Sequence, residues 1–212
     1  MSLRIPGLLL TALTLGAALG GTADARTAAD FFGAAPDSVY PILTGSTRLD
    51  MIDYYNYGSD RPSDNRLGGH SRITAQTDRT LGYELSERSS GQLAVLVPAP
   101  GDTVIAVVTT VPTPLPDSEI AFYTTDWRPA ATPVALPAYS DWLSDEGRRQ
   151  ADRAAGLVPF VTAQATFSPA ADTLTLVSGV ASYLAPADRD EGAALFLPQL
   201  TRTVTPAKSS RR

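Results

Sequence analysis

Carboxylates and aromatic rings are the side chains of this sequence that could carry out chemistry or bind a ligand, because most other reactive residue types are scarce or absent. The chain has no Cys, one His (His70) and one Lys (Lys208). This composition excludes thiolate catalysis, Cys-containing zinc sites, multi-His metal centres and a Schiff-base lysine in the core. We therefore expect neither a bound metal nor a cofactor.

Three aspartates are the candidate catalytic residues. Asp50 and Asp53 are three positions apart on a predicted helix, so their carboxylates could share one face and act as a pair or hold a cation. A structural role is the favoured alternative for Asp50, since a negative charge in the first turns of a helix is stabilised by the helix dipole. Asp126 follows a predicted strand. Because glycoside hydrolysis needs only two carboxylates, these residues are the basis of a hydrolase hypothesis.

The candidate binding residues are aromatic. Tyr54, Tyr55 and Tyr57 cluster at the end of the same predicted helix and would form a contact surface if exposed, although burial against the sheet is the favoured alternative. Trp127, next to Asp126, could stack on a sugar ring. Here too the structural alternative is favoured, in which the Trp anchors an edge of the core with its N–H hydrogen-bonded nearby.

Two other motifs fail their templates. His70 and Ser71 are adjacent in a predicted strand and would point to opposite faces, and no G-x-S-x-G motif accompanies them, so a Ser-His-acid triad is not expected. The run from Asp188 to Gly192 superficially resembles a calcium loop. Its Gly is one position early and Gln199 stands where the bidentate Glu should be, so a turn is predicted instead.

The first 25 residues have the pattern of a signal peptide. A positive segment through Arg4 precedes the apolar stretch from Ile5 to Gly21, and an A-x-A cleavage pattern, Ala23-Asp24-Ala25, follows it. The unbroken apolar part is shorter than the roughly 20 residues that span a bilayer. We expect cleavage near Ala25, a mature start at Arg26, a periplasmic or secreted location, and no integral membrane segment after processing.

Length and charge limit the organisation and the partners of the processed chain. Residues 26–207 are predicted to form one domain, and the run from Lys208 to Arg212 a disordered basic tail. The formal net charge of −5 argues against nucleic acid as a partner.

The predicted elements follow the order helices, strands, helix, strands. Helices are predicted from Thr27 to Ala35, from Ser46 or Thr47 to about Tyr57, and from Ser140 to Ala155, with a capped segment between Asp37 and Gly45 and Gly156 after the last helix. Strands are predicted within Ser71 to Thr125, with a hairpin at Ala99 to Asp102, and at Phe160 to Phe167, Thr173 to Val177 and Ala194 to Val204. This order predicts an α+β fold with a mainly antiparallel sheet, a meander, packed by N-terminal helices and one mid-chain helix.

Several strings in this sequence resemble a known family. They are Pro36-Asp37-Ser38, Arg48 to Asp53, Leu67-Gly68-Gly69 and, above all, Asp117 to Trp127. In this order they resemble an exported Bacteroidales family described as a domain of unknown function, DUF3256, and the resemblance covers most of residues 28–204. It implies a periplasmic or secreted protein of a Gram-negative bacterium and implies no established activity.

Two functional hypotheses follow. The first is a non-catalytic module of the cell envelope that binds another protein or a glycan through a sheet face or the tyrosine-rich helix end. The alternative is a carboxylate-dependent hydrolase of glycans that uses Asp50, Asp53 or Asp126. The hydrolase hypothesis predicts that Asp→Asn substitutions abolish an activity and leave the stability of the protein unchanged. The binding hypothesis predicts a stable partner.

Overall fold

A computed structural model describes residues 26–112 and 115–206 of the chain. The predicted leader and the predicted basic tail lie outside these residues. The described part has an α+β fold with two antiparallel sheets, as the sequence predicts. Its strands are β1 (Ser63–Asp64), β2 (His70–Gln76), β3 (Thr80–Ser86), β4 (Ser89–Ala99), β5 (Asp102–Val111), β6 (Asp117–Tyr123), β7 (Ala163–Phe167), β8 (Thr173–Ser178) and β9 (Gln199–Thr203). Its α-helices are α1 (Ala28–Ala34), α2 (Gly45–Asn56), α3 (Asp145–Arg149), α4 (Ala151–Leu157), α5 (Val180–Tyr183) and α6 (Arg189–Leu195).

The larger sheet is the middle layer of the fold. Its strands lie in sequence order from β1 to β6, so it is a meander. The apolar runs of β4 and β5 lie at its centre and are buried on both faces, because Leu93 and Val95 contribute to one core and Ala94 and Leu96 to the other. The Ala99–Asp102 hairpin is confirmed, with Gly101 at a φ of +79°.

The helices α1 and α2 cover the first face of this sheet. Thr27 and Asp30 form a capping box at the start of α1, and Phe31 and Phe32 are buried against the sheet. The helix α2 begins one or two residues earlier than predicted, because the hydroxyl of Thr44 accepts a hydrogen bond from the backbone N–H of Thr47 and caps it.

The second face is covered by β7, β8, β9 and the helices α3 to α6. Side chains of the large sheet bind the free backbone of β7: Gln92 binds both backbone groups of Phe167, at 2.8 and 3.0 Å. Ser118 accepts from the N–H of Ala165 at 3.0 Å, and Asp117 accepts from the N–H of Ala163 at 3.3 Å. These bonds satisfy N–H groups of β7 that no strand pairs with.

The single mid-chain helix predicted from Ser140 to Ala155 is wrong. The chain forms a 3₁₀ turn at Tyr139–Trp142, then α3, and then α4, which contains Gly156. Leu143 leaves the helical path to pair with Phe196, and Ser144 then caps α3. Arg148, and not Arg149, pairs with Asp145, at 2.8 Å.

Three further predictions are corrected. The turn predicted after Asp37 is present, but the Asp37 carboxylate does not cap it and pairs instead with Arg48 and Arg66, at 3.2 and 2.6 Å. The last strand starts at Gln199, since Ala194 belongs to α6. The turn predicted from Asp188 to Gly192 is helical instead, because all of it after Asp188 lies in α6. No helix within residues 26–112 and 115–206 has both the length and the apolar character that crossing a bilayer requires.

Candidate functional site

The strongest candidate site is a cleft at the outer edge of the large sheet, beside the end of α2. The chain leaves α2 after Asn56, reverses at Gly58 with a φ of +66°, and returns to the sheet only at Ser63. The segment 58–61 therefore stands away from β2. The space between them has a volume of about 410 Å³, and we call it the edge cleft. Its lining residues are Met51, Tyr54, Tyr55, Gly58, Ser59, Asp60, Arg61, Arg72, Ile73 and Thr74.

The tyrosines at this helix end are exposed to different degrees. Tyr57 is 86% exposed and Tyr55 is 38% exposed, whereas Tyr54 is half-buried. The favoured interpretation, burial of all three against the sheet, is wrong for Tyr55 and Tyr57. The buried face of α2 is formed by Arg48 and Met51, and its last turn lies beside the edge of the sheet, where no strand covers it.

Two arginines in the edge cleft have different electrostatic surroundings. Arg72 is held by two hydrogen bonds to Glu84, at 2.8 and 3.1 Å, and this pairing raises the pKa of the guanidinium. The guanidinium of Arg61 lies 5.5 Å from the ring centroid of Tyr54. Within the described part of the chain no carboxylate pairs with Arg61. Arg61 is thus a cation available to an anionic group of a ligand.

A second cleft, of about 360 Å³, lies on the other side of Tyr54 and Arg61. Asp50 lines it together with His70 and Asp64, and we call it the His70 cleft. The Nδ1 atom of His70 lies 3.1 Å from a carboxylate oxygen of Asp64, and both side chains are exposed. Ser71 is buried on the other face, where its hydroxyl donates to the carbonyl of Leu85 at 2.6 Å. The expectation that His70 and Ser71 form no triad is confirmed.

The three candidate carboxylates do not converge on one site. Asp50 lines the His70 cleft, and Asp53 is exposed about one turn further along α2. Asp126 lines a separate open cleft of about 1200 Å³ with Arg26, Asp30 and other residues, and no residue lines both clefts. Glycosidase chemistry needs its two carboxyl groups within about 10 Å of each other. The sequence could not reveal this separation, because it depends on the order of the strands.

Trp127 has a structural position. Its backbone has a φ of +61°, in a turn closed by the hydrogen bond from the N–H of Thr124 to the carbonyl of Arg128, at 2.8 Å. The ring lies 5.6 Å from that of Tyr123 and packs against the N-terminal core, as the structural alternative predicts. Its buried indole N–H has no hydrogen-bond partner among the described residues, contrary to that prediction.

The strings that carry the family resemblance also have structural roles. Arg48 is 2% exposed and donates to the carbonyl of Leu43 and the carboxylate of Asp37, at 2.8 and 3.2 Å. The loop at Leu67-Gly68-Gly69 is closed by the side-chain oxygen of Asn65, which accepts from the N–H groups of Leu67 and Gly69. These residues therefore contribute to the fold.

Comparisons with known proteins give a family and no activity. A solved structure described as a domain of an uncharacterized protein from Porphyromonas gingivalis W83 is similar to this chain, with a TM-score of 0.65 and 26% sequence identity. The similarity covers 81% of this chain and 91% of that one. A comparison with curated proteins gave no match. The family described as "Protein of unknown function (DUF3256)" matches residues 22–205. This match covers most of the chain, which therefore belongs to the DUF3256 family.

Proposed function

We propose that this chain is an exported, non-catalytic module that binds another protein of the cell envelope at the edge cleft. The observation that carries the proposal is the exposure of Tyr57 and Tyr55 beside a cleft that contains the unpaired cation Arg61. Tyr and Arg are enriched at protein interfaces because they combine a large contact area with hydrogen bonding. A volume of about 410 Å³ also falls within the usual range for binding clefts.

Export is the second part of the proposal and is supported by the sequence. The pattern from Arg4 to Ala25 is that of a cleaved leader. The protein should therefore be recovered from the periplasm or the medium with Arg26 as its first residue, as determined by N-terminal sequencing of the purified chain. Recovery from the cytoplasm with the leader intact would contradict export.

Photo-crosslinking in the native cell tests binding. A photoreactive phenylalanine at position 57 should capture one envelope protein in stoichiometric amount. The matched control is the same amino acid at position 183, since Tyr183 is 53% exposed and lies on α5, in the layer on the other side of the large sheet. Equal capture from both positions, capture of a glycan, or no capture from position 57 would each overturn the proposal.

A further inference from the structure

The edge of β2 beside the edge cleft carries unpaired backbone groups. The short strand β1 pairs only with His70 and Ser71, so among residues 26–112 and 115–206 no outer strand pairs with β2 from Arg72 to Gln76. In an antiparallel pair, the residues that exchange hydrogen bonds alternate with residues whose N–H and C=O groups point the other way. Just after β2, the N–H of Thr77 donates to the carbonyl of Thr80 at 2.8 Å, so the backbone groups of Thr77 point toward β3. This bond shows which residues of β2 point toward β3 and which point away from it.

The outward-facing residues follow from this register. Arg72 and Ala75 face Glu84 and Gly82 across the ladder, with a bulge between them. The backbone groups of Ile73 and Gln76 therefore point away from β3. No backbone or side-chain hydrogen bond to these outward groups occurs within residues 26–112 and 115–206. Ile73 is only 6% exposed but lines the edge cleft, and an unpaired strand edge that faces a cleft is a template for one more strand.

The direction of an added strand places its carboxyl end near Arg61. The strand β1 runs antiparallel to β2 and already occupies the edge opposite His70 and Ser71. A segment that continues the ladder in the same direction as β1 runs from opposite Gln76 to opposite Ile73 and must stop before Pro62, because Ser63 already pairs with Ser71. Its last residue then lies next to Arg61, which lines the cleft together with Asp60 and forms no ion pair within residues 26–112 and 115–206. Arg72, at the same end, is already neutralised by Glu84.

We propose that β2 accepts the carboxyl-terminal segment of a partner protein as an additional antiparallel strand, with the terminal carboxylate bound by Arg61. This inference rests on the proposed function and specifies its ligand. A free carboxylate matches Arg61, because a guanidinium forms two charge-assisted hydrogen bonds to it.

Peptide display with free carboxyl termini tests the inference. Residues 1–212 are expressed, and the purified protein is incubated with two libraries of displayed random heptapeptides. In one library the peptides have a free carboxyl end, and in the other they are followed by a fixed polar extension. Enrichment should occur only in the library with free ends. For an enriched peptide, amidation of its carboxyl end and the Arg61→Ala substitution should each weaken binding about tenfold or more. Arg88→Ala, which removes an exposed arginine from the β3–β4 turn, is the matched control and should leave binding unchanged.

Amide hydrogen exchange provides a readout specific to strand addition. Saturation with the enriched peptide should slow the exchange of the amides of Ile73 and Gln76, which a ligand held by side chains alone would leave unchanged. The inference is overturned if neither library is enriched, if the extended library is enriched equally, or if the two amides do not respond. Capture from position 57 in the cell would still support the proposed function in each of these cases, so the two failures are distinguishable.

Discussion

The ring of Tyr83 lies across Gly91 on the neighbouring strand of the large sheet. A Cβ atom at position 91 would be 2.6 Å from the Cε2 atom of Tyr83 and closer still to the carbonyl oxygen of Val108. The Tyr83 hydroxyl donates to that same carbonyl at 3.2 Å. The aromatic side chain thus covers the space that the glycine leaves free, and it connects β3 with β5 across β4.

Gly91→Ala should destabilise the protein, because neither the buried ring nor the backbone carbonyl can move away from the added methyl group. We expect a loss of about 1–3 kcal/mol in the free energy of unfolding, measured by urea denaturation. Gly156→Ala is the control. No atom lies within 4 Å of a Cβ at position 156. In the helix α4 this change should be neutral or stabilising by up to about 1 kcal/mol. Equal effects of the two substitutions would show that Tyr83 does not restrict position 91.

Arg48→Met should be strongly destabilising. The side chain of Arg48 is buried, and its removal leaves the carbonyl of Leu43 without its donor and Asp37 without one of its two cations. Loss of one partner of a buried charged network typically costs about 3–5 kcal/mol. Arg88→Met, at an exposed position, should change the free energy of unfolding by less than about 0.5 kcal/mol. If Arg48→Met also changed the free energy of unfolding by less than about 0.5 kcal/mol, Arg48 would have no structural role.

Acid pH should selectively remove the contribution of Asp37 to stability. The hydrogen bond from Arg66, helped by Arg48, lowers the pKa of the Asp37 carboxyl below its ordinary value of 3.8. A carboxyl group with a lowered pKa binds fewer protons in the folded state than in the unfolded state. It therefore stabilises the protein above its unfolded pKa, and this contribution is lost as the pH falls through the folded pKa.

The difference in the free energy of unfolding between the wild type and Asp37→Asn should thus be largest at pH 5 to 7 and should shrink below about pH 4. Urea denaturation at a series of pH values measures it. Asp53→Asn, at an exposed position of α2, is the control for removal of a surface charge. A difference for Asp37→Asn that is constant from pH 6 to pH 3 would show that its ion pairs do not contribute.

Gln92→Ala should weaken the attachment of the small sheet to the large one. The Gln92 side chain satisfies both backbone groups of Phe167, and truncation leaves a partly buried donor and acceptor without partners. We expect a cost of about 1–3 kcal/mol and faster amide exchange in β7 than in β4. Gln164→Ala, on the exposed face of β7, is the matched control and should be close to neutral. If amide exchange in β7 were unchanged, water would replace the hydrogen bonds of Gln92 without a loss of stability.

Local patterns in the sequence predicted a large part of the fold. The alternation of Leu81, Tyr83 and Leu85 and the apolar runs of β4 and β5 gave a meander with a central region buried on both faces, because side-chain direction in a strand has a period of two. The predictions failed where a distant contact overrides a local preference. Pairing of Leu143 with Phe196 breaks the mid-chain helix, and the two cations near Asp37 recruit its carboxylate from the predicted cap.

The sequence by itself determined the chemistry that this protein lacks, the α+β class and the membership of its family, since these depend on residue types and on their spacing along the chain. It also identified the tyrosines at the end of α2 as candidate binding residues, although burial against the sheet was the favoured alternative. Only the tertiary structure decided that Tyr57 is exposed, that Asp50 and Asp126 line separate clefts, and that the edge of β2 is unpaired beside Arg61. Exposure and proximity depend on how helices, loops and sheets pack against one another, and patterns in a single sequence do not encode that packing.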